Sequence, residues 1–232
     1  MFPRGDSSDL TIVLTNTSGG VTGGDKFRVA VSVEQDSTLT LTTQTAERAY
    51  KAQPGEVGRV STQLSVAAGA RINWLPQETI LFQKCAMKRR LDIDLDKDGS
   101  ALLVEPLVFG RVAMGEVLTQ AHFADRIQVT RAGKCIYLDR VVLDGDLAQQ
   151  MARPAIGDGA GAMATLVFVH DSAEAMVDAL RSVLPETGGA SLVKDGVLVA
   201  RLLAPDSFLL RKSLIPAIKL LNNDDLPRPW MI

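Results

Sequence analysis

Three groups of residues in this chain have the types and spacing of chemical sites. Asp94-x-Asp96-x-Asp98-Gly99-x₅-Glu105 satisfies the ligand spacing of a calcium-binding helix–loop–helix. Its surroundings argue otherwise. Arg90–Leu95 alternates with period two, and Pro106 stands where an exit helix should run. A β-hairpin with Asp-Lys-Asp-Gly at its turn is the expectation. The second group is Asn16-Thr-Ser-Gly-Gly-Val-Thr-Gly-Gly-Asp25. Gly19 and Gly24 have phosphate-loop separation, but Asp25 replaces the lysine that would meet phosphate, and a β-branched run follows instead of a helix. A tight Gly-rich corner in which Asp25 bonds its own backbone fits better.

The third group is scattered. Arg48, Glu78, Glu105, Arg111 and Glu116 each lie in or beside an apolar strand-like run. Such charges either face solvent or line a polar path in paired form. His122 and His170 are the only histidines, and no H-x-x-H or C-x-x-C occurs, so no dedicated zinc or nickel cage is visible. There is no G-x-S-x-G, and Cys85 and Cys135 have no histidine partner nearby in sequence. A hydrolase using a carboxylate pair on a β scaffold stays open as one class of function.

The elements that must position these residues are mostly strands. From Leu10 to about Val142 the period is two, as in Thr38–Thr42, Val60–Val66 and Arg90–Leu95, with Gly and Asp at the turns. This predicts a β-rich body over about residues 10–150, without a fixed-length repeat that would demonstrate a solenoid. After the Gly/Ala-rich connector Ala155–Ala162, an α+β part is expected over about 163–232. It comprises a buried strand (Ala164–His170), a helix capped by Asp171 or Ser172 and stopped at Pro185, and a hairpin turning at Asp195-Gly196. A final helix capped by Asp206 or Ser207 should follow, kinked or split by Pro216.

The totals bound the rest. The formal charge of −2 carries no global basic field that would point to nucleic acid or anionic lipid. Two separated cysteines fit a reducing compartment. Met1–Asp6 lacks an apolar leader segment, and no run approaches membrane-span length. Composition therefore predicts a soluble, globular, cytoplasmic chain.

Asn16–Asp25 resembles the N-T-[AS]-G-G-[LV]-x-G-G-D signature of the urease accessory proteins UreD (UreH), placing Gly19, Gly20, Gly23, Gly24 and Asp25 on its invariant letters. Thr42–Arg48 (with Gln44 and Arg48), Trp74–Thr79, Gly110–Glu116 (with Gly110, Arg111, Gly115 and Glu116) and Leu226–Trp230 resemble further stretches of that family, in the same order. The resemblance implies a single UreD-like domain over 1–232, mainly β, with a β-helix-like stack of sheets and two helical segments near the C-terminus. It implies a cytoplasmic, non-enzymatic assembly chaperone acting with UreF-type and UreG-type proteins on urease apoprotein. Nickel would be cargo in transit, with no cofactor bound permanently, and neither nucleic acid nor membrane would be a partner. Family members carry a few dozen residues before the Gly-rich turn and only fifteen precede Asn16 here, so the expectation is that a first strand or two is missing from this sequence or that its start differs. For an ion in transit, Glu78, Glu105 and Glu116 are the expected weak ligands or channel charges.

Overall fold

A computed structural model describes residues 9–231. The fourteen strands among the described residues are β1 (Asp9–Leu14), β2 (Lys26–Val33), β3 (Thr38–Thr43), β4 (Glu47–Ala49), β5 (Gly58–Val66), β6 (Arg71–Leu75), β7 (Thr79–Leu81), β8 (Ala86–Leu95), β9 (Ser100–Phe109), β10 (Ala121–Arg131), β11 (Lys134–Gly145), β12 (Ala162–Val169), β13 (Gly188–Lys194) and β14 (Val197–Ala204). They form two sheets. The first runs β1-β3-β6-β9-β12-β14-β13, with β4 and β7 attached beside β9; the second runs β11-β10-β8-β5-β2. The chain passes from one sheet to the other and back. Successive passes therefore stack in parallel, β1-β3-β6-β9 in one sheet and β2-β5-β8-β10 in the other. This is a two-sheeted, solenoid-like coil, closed by the antiparallel strands β11, β12, β14 and β13.

The coil pitch is uneven. Register-matched residues of the second sheet are Lys26, Arg59, Lys88 and Ala124, separated by 33, 29 and 36 residues. Alternation decides which side chains point between the sheets. In β2, Phe27, Val29, Val31 and Val33 point inward, while Lys26, Arg28, Ala30 and Ser32 point out. β9 differs: it is buried almost end to end, because helices cover the far face of its sheet.

Three helices occur among the described residues: α1 (Leu147–Met151), α2 (Val177–Val183) and α3 (Ser207–Leu221). α1 is a short helix the sequence reading missed. It is capped by Asp146, whose carboxylate accepts from Gln149 N at 2.8 Å, and it buries Leu147 and Met151. α2 starts later than expected. Neither Asp171 nor Ser172 caps it; the amide of Ser172 instead donates to His170 Nδ1, and the helix begins only at Val177. α3 is capped by Asp206 at Leu209 N (2.8 Å) as expected, yet it runs unbroken through Pro216. Its buried residues Leu210, Leu214, Ala217, Ile218 and Leu221 hold it against β12 and β14, so packing outweighs the one missing backbone donor. Late residues also tie back to early ones. The indole of Trp230 donates to Leu75 O at 2.9 Å, and Arg71 Nη2 donates to Leu221 O at 2.8 Å. Arg211 Nη1 contacts Glu78 at 3.0 Å.

The β8–β9 connection corrects the hairpin expectation. β8 belongs to the second sheet and β9 to the first, so Asp96–Gly99 is a corner between sheets, closed by Gly99 N donating to Asp96 O. Glu105 lies within β9, away from that corner. The Asp195-Gly196 hairpin joins β13 to β14 as expected, with Gly196 at φ +69°. The stretch Met1–Asp6 lies outside the described residues.

Candidate functional site: a polar seam between the sheets

Two apolar clusters fill the space between the sheets, and a polar layer separates them. The strands enter that layer in phase. On β8, Arg89 stands between Met87 and Leu91; on β9, Glu105 stands between Leu103 and Leu107. On β10, Asp125 stands between Phe123 and Ile127; on β12, Thr165 stands between Met163 and Val167. On each strand one neighbour belongs to one cluster and the other neighbour to the second. Register carries the layer across the sheets, pairing Arg89 with Asp125, Glu105 with Thr165, and Thr165 with Arg201.

At one side the layer opens into a cavity of about 340 Å³ beneath the Gly-rich corner. Glu105, Arg89, Trp74 and Thr79 form its inner wall; Gln44, Arg48 and Gly19 stand nearer its mouth. Arg89 holds Asp125 with a two-pronged grip, Nε to Oδ1 at 3.0 Å and Nη2 to Oδ2 at 2.6 Å. Its Nη1 donates to Thr79 Oγ1 at 3.2 Å and lies 2.5 Å from Glu105 Oε2. That last contact joins two charges but is not aligned as a hydrogen bond, so Oε2 has no donor among the described residues. Glu105 Oε1 accepts from the Trp74 indole at 2.7 Å. Glu105 is 4% exposed and Asp125 7%.

One buried cation thus serves two buried carboxylates. Burial pushes the Glu105 carboxyl up to about 7; Arg89 opposes this, the charge of Asp125 adds to it, and the Trp74 bond opposes it. Burial also disfavours the Arg89 cation, but Asp125 and Glu105 together outweigh that and hold its pKa above the ordinary value. The two directions agree once the sharing is counted. Arg89 sees two anions, whereas Glu105 sees a cation already engaged by Asp125. Glu105 is therefore the weakly held carboxylate of the group, its Oε2 in ion-pair contact with Arg89 but without an aligned hydrogen-bond donor.

The corner above the cavity is held by side-chain hydrogen bonds. Thr22 N donates to Asp25 Oδ2 at 2.9 Å, Asn16 Nδ2 donates to Gly20 O and to Glu47 Oε2, and Gly19 O accepts from Tyr50 Oη at 3.3 Å. A Cβ on Gly20 would stand 2.3 Å from Tyr50 Cε2 and 2.7 Å from Arg48 O. Gly24 sits at φ +83°, with Gly23 before it in the same turn.

A family model described as "UreD urease accessory protein" matches residues 2–231. The chain belongs to this family. It is 53% identical over 232 residues to the urease accessory protein UreD of Ruegeria pomeroyi, spanning all of this chain and 90% of that one. It is 50% identical over 233 residues to UreD of Roseobacter denitrificans (85% of that protein) and 42% identical over 235 residues to UreD 1 of Brucella abortus biovar 1 (84% of it).

In this UreD-family chain the three glutamates singled out by sequence lie in three different places. Only Glu105 lines the cavity. Glu78 is buried beneath α3, where Arg211 Nη1 bonds it. Glu116 clamps a loop: Arg111 Nε and Nη2 each donate to it at 3.0 Å, as do the amides of Arg111 (3.0 Å) and Gln83 (3.1 Å). The Arg111 bonds hold the Glu116 carboxyl down at about 2, against the opposing push of burial. Gly110 and Gly115 bracket that loop, both at positive φ, and Arg111 stacks 4.3 Å over the Phe82 ring. His122 bonds Asp144 and His170 bonds Ser172, both through Nδ1. Burial pushes the Cys85 thiol up to about 11, away from reactivity. Among the described residues no group of three or more His, Cys, Asp or Glu is gathered as a metal cage, and no helix is long and apolar enough to cross a membrane.

Sequence reasoning missed Arg89 and Asp125. The signal was present: Arg89 is in phase with Met87, Leu91, Ile93 and Leu95, and Asp125 with Phe123, Ile127 and Val129. A charge in phase with a run of inward apolar residues marks a buried polar layer.

Proposed function

We propose that this chain is a non-enzymatic accessory protein of urease maturation. In the cytoplasm it works with UreF-type and UreG-type partners on urease apoprotein, and nickel passes through it as cargo. The observation that carries the reading is the buried, half-satisfied Glu105 carboxylate at the inner wall of the cavity. A carboxylate in a narrow polar layer buried between two apolar clusters is retained at a cost in stability, which fits a role for its charge. The carboxylate attracts a divalent cation by Coulomb force, while Arg89 beside it keeps the attraction weak. Weak holding is what transfer requires, since a closed, fully ligated site retains its ion. Family membership supports the urease context.

The test is Glu105→Gln, which preserves shape, with Glu78→Gln and Glu116→Gln beside it. Assembly with the partner proteins, nickel content of urease and urease activity are measured. Glu105→Gln is expected to assemble normally and to load less nickel. Normal loading by all three variants would remove the nickel path from the proposal.

A further inference from the structure

The outer face of the second sheet carries a charge distribution unlike that of the whole chain. Register places Lys26, Arg59 and Lys88 side by side on β2, β5 and β8. The next outward row is Arg28, Ser61, Arg90, Arg126 and Arg140 across all five strands. Seven cations thus occupy two adjacent rows, on a chain whose net charge is −2. At about 4.8 Å between strands, the longer row spans roughly 19 Å. Asp92, from the row beyond, pairs with both Arg90 and Arg126. Among the described residues no carboxylate side chain lies within ion-pair distance of Lys26, Arg28, Arg59, Lys88 or Arg140.

Solvated strand faces usually mix their charges. This one sets four like-charged pairs directly opposite one another: Lys26 with Arg59, Arg59 with Lys88, Arg90 with Arg126, and Arg126 with Arg140. Like charges in register destabilise a sheet. Asp92 bridges the Arg90–Arg126 pair, and the other three pairs are left without a carboxylate between them. α2 and α3 pack against the other sheet, α1 buries Leu147 and Met151 in the cluster between the sheets, and none of the three helices is seen to cover this face among the described residues.

We propose that the outer face of the second sheet is an electrostatic docking surface for a carboxylate-rich protein surface. Guanidinium forks match carboxylates in pairs. Asp92 and Asp94, in the rows beyond the cations, would repel a long phosphate track, and Phe27, Phe123 and Tyr137 face inward, leaving no aromatic platform for bases. A compact acidic patch suits this geometry better than nucleic acid or lipid. The inference is independent of the nickel path; only its cellular readout rests on the accessory role.

The test is the double variant Arg59→Glu, Arg140→Glu in the full chain. It turns three of the four like-charge pairs into opposite ones, so its Tm is expected to equal or exceed that of the wild type. Binding is measured to poly-L-glutamate, to a DNA duplex and to phosphatidylserine vesicles, and urease activation is measured in cells. The wild type is expected to prefer poly-L-glutamate, with affinity falling steeply as salt rises. The double variant should bind it about tenfold more weakly or less, and should activate urease poorly. Arg59→Lys, Arg140→Lys should retain both properties. Undiminished poly-L-glutamate binding by the double variant overturns the proposal, as does undiminished activation. Preference of the wild type for DNA or for vesicles overturns it in favour of those ligands.

Discussion

Replacing Glu105 with Gln gives a stability effect whose sign depends on pH. In the native chain the carboxyl titrates near 7, against 4.5 for an unperturbed glutamate, because it is buried and its cation is shared. The folded state therefore holds this proton more tightly than the unfolded state. Between about pH 4.5 and pH 7 the wild type loses stability from this group as pH rises, and above the folded pKa the loss is complete. At about 1.4 kcal/mol per pH unit, the full loss is on the order of 3 kcal/mol. Glutamine cannot titrate, so it escapes the loss. It can still accept from the Trp74 indole, and Arg89 keeps its grip on Asp125. The variant should thus gain on the wild type steadily from pH 4.5 to 7, by about 3 kcal/mol in all, and then run parallel. Urea denaturation of both proteins across this range measures the difference, and all other titrating groups largely cancel in it. A stability difference that stays flat with pH would refute the account of one cation shared by two carboxylates.

Two further outcomes follow from packing. Gly20→Val should prevent normal folding, because its Cβ meets the Tyr50 ring and a backbone oxygen, and Gly24→Val should destabilise through its left-handed backbone; circular dichroism and yield of folded protein check both. Trp230→Ala should lower stability by about 3–5 kcal/mol in denaturant titration, since the fully buried indole fills the space beneath α3 and bonds Leu75 O.

Much of the fold was legible because alternation reports which face of a strand is wet. β2 and β8 show this plainly, and the Asp195-Gly196 turn and the Asp206 cap act through their own backbone. Alternation does not report which strand lies next door. The parallel coil, which the resemblance implied as a β-helix-like stack, could not be read from periodicity because its turns differ in length, and the Asp96–Gly99 corner looks locally like a hairpin turn. The position of Glu105 was hidden for another reason: β9 is buried on both faces, so its sequence has no wet side to contrast with. Pro216 misled because a propensity argument cannot see the five side chains that anchor α3. The resemblance to UreD fixed the family, but it did not separate Glu105 from Glu78 and Glu116, whose different surroundings exist only in three dimensions.

The ties from Trp230 to Leu75, from Leu221 to Arg71 and from Arg211 to Glu78 bear on how the protein is made. A ribosome delivers the chain in order, at about 5–20 residues per second. The coil of parallel strands is complete well before α3 emerges, and until then α2 alone covers part of the apolar outer face of the first sheet. The newborn chain therefore spends seconds as a sticky intermediate, and contacts spanning 155 and 150 positions close last. A stop codon that removes only the final dozen residues would leave every strand and most of α3 in place, yet strip Leu221, Leu226 and Trp230 from the cluster they fill, and should yield a protein that aggregates or is degraded.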